Sequence, residues 1–240
     1  MINLTSLDIT NKNLVIRVDM NVPIQNGIVT DTSRIKACIP TIKLALENNA
    51  KVLLISHLGR PEEGKFEEKF SMKPVAESLS SILNQEVGLV DRLDSEDIFK
   101  SSFNIQILEN IRFFKGEKAN DKDLGNTLAN LGDIYVFDAF GTAHREQAST
   151  HSAIEQSKIA CAGLLLEREI DFLIKALNDY QNPYVAIIGG AKVSTKLELI
   201  KYINNVADNI IVGGGIANTF ILASGLNVGK SLIEENMLDT

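Results

Sequence analysis

Short runs of apolar and β-branched residues alternate along this chain with longer stretches in which apolar positions recur every three or four residues. The short runs fit buried strands and the 3.6-residue period fits amphipathic helices. Strands are therefore expected over residues 14–18, 52–55, 87–90, 105–108, 134–137, 184–188 and 210–212. Helices are expected over 31–50, 71–84, 123–131, 163–180, 194–204 and 216–223. The first should be capped near Asp31 or Thr32 and kinked at Pro40, which has no N–H to donate. Alternating strand and helix implies an α/β fold, a parallel sheet with helices on both faces. The long helix that runs out at Asn182-Pro183 marks the candidate boundary. It divides the chain into 1–165, a connecting helix 166–182 and a second α/β segment 183–240.

Composition narrows the class. A hydrophobic share of 45% and a charged share of 23% are those of an ordinary globular protein. The net charge of -7 argues against a nucleic-acid binder, although a local basic pocket remains compatible with it. Cys38 and Cys161 sit in apolar surroundings without metal or redox spacing and read as buried free thiols. The N-terminus lacks the charged start and apolar run of a signal peptide. No apolar run approaches the ~20 residues that span a bilayer. A cytoplasmic monomer without a membrane partner is the expectation.

The arginines are few and unevenly placed. Seven stand against seventeen lysines. Arg17 ends the first strand, Arg60 follows the second in "SHLGRP", Arg112 follows another in "LENIRF", and Arg145 follows the strand that opens "YVFDAFGTAHREQAST". Arg34 begins the first helix. Five of the seven thus fall at the carboxyl edge of the expected sheet, where open α/β sheets bind their ligands. Arginine grips phosphate and carboxylate through a planar fork. The pattern describes an anion pocket in an acidic protein, suited to a small phosphorylated acid. His57 and His144 fall beside two of these arginines and read as anion contacts; no histidine is spaced as a metal ligand. Asp19 and Asn21 bring hydrogen-bond acceptors to the same edge, either for a substrate hydroxyl or, for Asp19, to orient an arginine.

Two further strand-to-helix turns are glycine-rich. "AIIGGAKVSTKLELI" places Gly190, Ala191, Lys192 and Lys196 where a helix should begin near Ser194, with the two lysines on one face if it begins early. "NIIVGGGIANTF" follows with Gly213 and Gly214. Neither is a Walker A loop or a G-x-G-x-x-G fingerprint. Two in succession, one with paired lysines at a helix N-terminus, favour a nucleotide-phosphate site.

Taken in order, "RVDMNVP", "DTSRI", "SHLGRP", "LENIRF", "DAFGTAHR..AST", "GGAKVSTK" and "GGGIANTF" closely resemble the phosphoglycerate kinase family, from about residue 4 to the end. The resemblance implies two Rossmann-like domains joined by a helix, the acid substrate held by the first and the nucleotide by the second. It implies phosphoryl transfer between 1,3-bisphosphoglycerate and ADP, giving 3-phosphoglycerate and ATP, with Mg²⁺ as the Mg-nucleotide complex. By position, Asp19 and Asn21 would contact the glycerate. His57, Arg60, Arg112 and Arg145 would hold its phosphate, with Arg17 and His144 nearby. Arg34 and Lys192 would act on the transferring phosphoryl group. Lys192 and Lys196 would contact the nucleotide phosphates, while Gly190, Ala191, Gly213 and Gly214 would line the nucleotide cleft. Met20 stands where the family often has Phe or Leu.

The family's second domain continues past Asp239-Thr240, to a ribose-binding glutamate and a late glycine-rich segment with an acidic residue for Mg²⁺. The 240 residues are therefore expected to be an N-terminal fragment, inactive alone. A substrate carboxylate with a pKa of roughly 3.5 is already ionised at neutral pH, so the attack needs positioning and charge neutralisation rather than a base. A non-catalytic anion-binding module is the alternative. A nicotinamide dehydrogenase is disfavoured by the absence of G-x-G-x-x-G after the first strand.

Overall fold

The computed structural model describes residues 1–93 and 98–240. Its contacts group the chain into two compact units, Met1–Asp171 and Phe172–Thr240. In the first, six parallel strands form one sheet in the order β5-β6-β4-β1-β7-β8. They are β1 (Asn13–Val18), β4 (Lys51–Ile55), β5 (Gly88–Val90), β6 (Ile105–Leu108), β7 (Ile134–Asp138) and β8 (Ala160–Ala162). The period of two splits their side chains between two cores. Leu14, Ile16, Val18, Val52 and Leu54 pack with Ile35 and Ile42 of the helix Ser33–Glu47 and Leu79 of the helix Lys73–Leu83. Val15, Leu53, Ile55 and Tyr135 pack on the other face with Leu124 and Leu128 of the helix Lys122–Ala129. The sheet is therefore covered on both faces, as the alternation implies.

From β1 the chain moves to β4, skips a place to the edge strand β5, comes back to fill the gap with β6, and then places β7 on the opposite side of β1. The carboxyl ends of β1 and β7 thus flank a topological switch point, the crevice where such sheets bind ligands.

Several elements depart from the expected pattern. The edge strand β8, Ala-Cys-Ala, is too short and small to show a period, and it forms by pairing with Tyr135–Phe137 of β7. A hairpin of β2 (Ile24–Gln25) and β3 (Ile28–Val29) turns on Asn26 and Gly27, whose φ values of 51° and 76° match a type I′ turn. The helix Ser33–Glu47 is assigned continuously through Pro40. At its start Thr32 makes no side-chain cap, and the Asp31 carboxylate accepts instead from Ser33 N at 2.8 Å.

The second unit pairs β9 (Val185–Gly190) in parallel with β10 (Asn209–Gly213). Ala186 and Ile188 pack with Ile203 of the helix Leu197–Asn204 and Ile216 of the helix Gly214–Ala223. No described helix is long and apolar enough to cross a membrane.

Candidate functional site

The carboxyl ends of β1, β4, β6 and β7 collect the predicted cations of the first unit. Arg60 follows β4 and is exposed; Arg112 lies in the 3-10 turn Ile111–Phe113 after β6; Arg145 is half-buried after β7. Asn110 fixes two of these loops at once. Its Oδ1 accepts from Leu58 N and Arg112 N at 3.2 and 3.1 Å, and its Nδ2 donates to Leu58 O and Phe70 O at 2.7 and 3.0 Å. Asn21 Oδ1 accepts from Gly59 N at 2.9 Å, and Ser56 Oγ accepts from Met20 N at 2.9 Å, tying the β1 and β4 loops together. Asn21 is thus engaged by its own scaffold through that oxygen.

Electrostatics show that these arginines converge. His57, 3% exposed, is pushed down to about 2 by burial first and then by the charges of Arg17, Arg112, Arg145 and Arg34. Arg112 is also lowered, by burial and then by Arg145, with Arg17 and Arg60 contributing. Both shifts begin with burial and are deepened by neighbouring guanidinium groups, so positive charge is concentrated here, with Glu117 opposing it at Arg112. Arg112 donates through Nη1 to Gly59 O, while its Nε is buried without a hydrogen-bond partner. An orphan donor of this kind is costly and is what a bound anion would satisfy.

His57 has a defined role in this field. Its Nδ1 lies 3.4 Å from Arg17 Nη2, and arginine can only donate. Nδ1 must therefore carry the lone pair, which leaves the proton on Nε2 of the neutral ring as a hydrogen-bond donor.

Arg17 and Asp19 are both held by the protein's own groups. Arg17 is fully buried; its Nε donates to Ser149 Oγ at 2.9 Å and its Nη1 to Val18 O. It supports the pocket from beneath instead of lining it, because its position in β1 shares the face of Val15. Asp19 forms an ion pair with Arg34 at 2.5 Å, the arginine being the more exposed partner. Asp19 therefore orients an arginine, one of the two roles expected for it. His144 is exposed at the rim. The third histidine, His151, stands apart beside Asn120.

The glycine-rich turns of the second unit are also partly corrected. The helix begins at Leu197, so Lys192 and Lys196 lie on the preceding turn, with Lys196 as its N-cap. They do not share a helical face. At the expected helix start the amide is occupied: Ser194 N donates to Glu234 Oε2 at 2.9 Å and Ser194 Oγ to Glu234 Oε1. Hydrogen bonds from Ser194 are the main cause that holds this carboxyl below its usual range. The glycines divide into two kinds. A Cβ on Gly189 or Gly213 meets nothing within 4 Å, leaving room for a ligand. A Cβ on Gly214 would lie 2.8 Å from Gly190 O, and one on Gly215 would lie 2.3 Å from Ala191 O, so these let the two turns approach.

Among the described residues no group of three or more His, Cys, Asp or Glu is placed to hold a metal ion. Asn110, Ser56 and Ser149 lie inside the motifs LENIRF, SHLGRP and AST, but no role is read for them there; their roles follow from partners far along the chain.

A model of the phosphoglycerate kinase family matches residues 4–240. The chain is 51% identical over 232 residues to the phosphoglycerate kinase of Desulfovibrio desulfuricans, covering 97% of this chain and 59% of that protein. The phosphoglycerate kinase structure from Coxiella burnetii superposes with a TM-score of 0.84 at 47% identity, over 99% of this chain and 61% of that one. The Pyrococcus horikoshii enzyme gives 0.83 at 32% identity, over 95% and 59%. The chain thus spans about three fifths of the length of these relatives. With the motifs in order, the arginine-lined sheet edge and the matched fold, the chain belongs to the phosphoglycerate kinase family.

Proposed function

We propose that the chain serves reversible phosphoryl transfer between 1,3-bisphosphoglycerate and ADP, its substrate domain (residues 1–165) binding the phosphoglycerate. Residues 166–182 are the connecting helix of this reading and residues 183–240 belong to the nucleotide-binding part. The observation that carries it is the cluster of Arg34, Arg60, Arg112 and Arg145 around neutral His57 at the switch point of the sheet. Arg60, Arg112 and Arg145, with the Nε2–H of His57 and with His144 at the rim, would bind the 3-phosphate. Asp19 and Asn21 would face the glycerate hydroxyl. Arg34 and Lys192 are assigned to the transferring phosphoryl group. Lys192 and Lys196, with the open backbone at Gly213 and the turn at Gly190, Ala191 and Gly214, are assigned to the nucleotide phosphates.

In the direction that consumes ATP, a carboxylate oxygen of 3-phosphoglycerate attacks the γ-phosphorus and the bond to the β-phosphate oxygen breaks, releasing ADP. The nucleophile is ionised at neutral pH, so no base is required. The protein's contribution is positioning and neutralisation of charge. Mg²⁺ would arrive with the nucleotide as part of that substrate. A cytoplasmic monomer belongs to the same reading, and the net charge of -7 supports the part of it that has no nucleic-acid partner.

Calorimetry with 3-phosphoglycerate tests the assignment. Arg145→Ala should weaken binding roughly ten- to a hundredfold, the scale of one charge-assisted pair. Arg145→Lys should also weaken it, since a point charge cannot reproduce the planar fork. Arg168→Ala, on the helix Leu164–Asn178 outside the cluster, should bind as the wild type does. Equal affinity in all three, with the fold intact, would place the substrate elsewhere.

A further inference from the structure

Beneath the arginine cluster lies a buried carboxylate that the substrate assignment leaves without a role. Glu117 is fully buried, and burial raises its carboxyl above the usual range while Arg17 and the Ser149 hydrogen bonds oppose that rise. It holds one segment by three bonds. Ala148 N donates to its backbone oxygen at 2.9 Å, Ser149 N to Oε2 at 2.9 Å, and Ser149 Oγ to Oε1 at 2.6 Å. The same Ser149 hydroxyl accepts from Arg17 Nε at 2.9 Å, and its carbonyl accepts from Tyr135 Oη at 2.6 Å. Thr150 Oγ1 then donates to the carbonyl of Arg145 at 2.6 Å. An unbroken path therefore runs from Glu117 through Ser149 and Thr150 to the residue that carries the anion-binding fork. A second branch runs to Arg17, which faces Nδ1 of His57.

Arg145 is only half-buried and lies on a loop after β7, so its own strand does not determine where its guanidinium sits. Bidentate recognition tolerates little displacement, and a loop segment held at three points is far more defined than one held at its ends. Glu117 also places one negative charge below several positive ones, which lets Arg17 stay buried without attracting an anion away from the pocket mouth.

We propose that Glu117 is a positioning residue of the anion pocket, acting through Ser149 to hold Arg145 and, by Arg17, the ring of His57. The proposal rests on the reading of this cluster as the phosphate site, and its test separates the two. Glu117→Gln keeps the size of the side chain but sets an amide donor against one of the two Ser149 donors. Ser149→Ala removes the hydroxyl bridge and leaves the carboxylate in place.

Affinity for inorganic phosphate and for 3-phosphoglycerate is measured by calorimetry, well below the melting temperature of each variant. Both variants should lose about tenfold for each anion. In an Arg145→Ala background Glu117→Gln should cost clearly less than it does alone, because one of its two routes runs through Arg145. Amide hydrogen exchange over residues 143–150 should accelerate in both variants, without ligand, while exchange in β1 and β4 stays slow. A residue that only stabilises the fold would lower the melting temperature and leave affinity and the loop's relative protection unchanged; that result overturns the proposal. So does full additivity with Arg145→Ala. Wild-type protein that binds phosphate but not 3-phosphoglycerate overturns the substrate assignment alone, and the variants are then compared on phosphate. If neither anion binds, the function is overturned and the exchange data decide for Glu117.

Discussion

The residues at this site are defined more by their charges than by their contacts. His57 stays neutral in the folded protein down to about pH 2, whereas a histidine in the unfolded chain takes up a proton near its ordinary 6.5. Between those values the unfolded state binds more protons, so the fold loses stability as pH falls. Removing His57 should remove that share. Urea unfolding of wild type and His57→Gln at pH 7 and pH 5 should differ in their acid-side loss by roughly 2 kcal/mol, the wild type losing more. An identical loss in both would mean that the ring is protonated in the native protein. The same cause shifts Cys38 and Cys161 in the opposite direction: burial raises both thiols, Cys161 to about 12, which removes them from thiolate chemistry.

At the scale of elements, β7 does more than carry the Arg145 loop. Its last residue, Asp138, is buried and accepts from Leu166 N at 2.9 Å and from Thr41 Oγ1 at 2.6 Å. Thr41 Oγ1 in turn accepts from Leu164 N at 3.1 Å. A strand end, the helix Ser33–Glu47 and the first turn of the helix Leu164–Asn178 are thus joined by one carboxylate placed at a helix N-terminus. Gly163 follows from this packing, since a Cβ there would lie 2.3 Å from Asp138 Cγ. Asp138→Ala leaves a buried hydroxyl and a helix N–H without an acceptor and should cost about 2 kcal/mol in denaturant unfolding. Asp138→Asn retains one acceptor and should cost less. If the alanine variant is as stable as wild type, the helix start is held by other contacts.

For the whole molecule, the net charge of -7 and the local cluster of arginines act in opposite directions on an approaching anion. Only the local cluster is close enough to escape most screening, yet Arg34 and Arg60 are exposed and respond to salt. Affinity for 3-phosphoglycerate should fall several-fold between about 0.05 and 0.5 M salt, across the range in which the Debye length shrinks from above ~10 Å toward ~3 Å. The melting temperature should move little, because the two sheet cores are apolar. Salt-independent affinity would point to recognition by neutral hydrogen bonds.

The alternation of apolar runs by itself determined the parallel sheet, its helices on both faces and the carboxyl edge where Arg60, Arg112 and Arg145 gather. These follow from local periods and from the rule that loops leave strands at one edge. The parity of Arg17, shared with Val15 and opposed to Leu14, Ile16 and Val18, is local, whereas its burial was not read from the sequence, which placed it at the pocket. What made that buried charge tolerable was Ser149, 132 residues away, and behind it Glu117. The strand Ala160–Ala162 likewise exists because β7 offers it a free edge. The turn at Lys192 runs past the expected helix start, and within it Ser194 N donates to Glu234, 40 residues on. Tertiary structure decided each of these because a buried polar group is stable only with its partner in place, and no local pattern says which distant residue that partner will be.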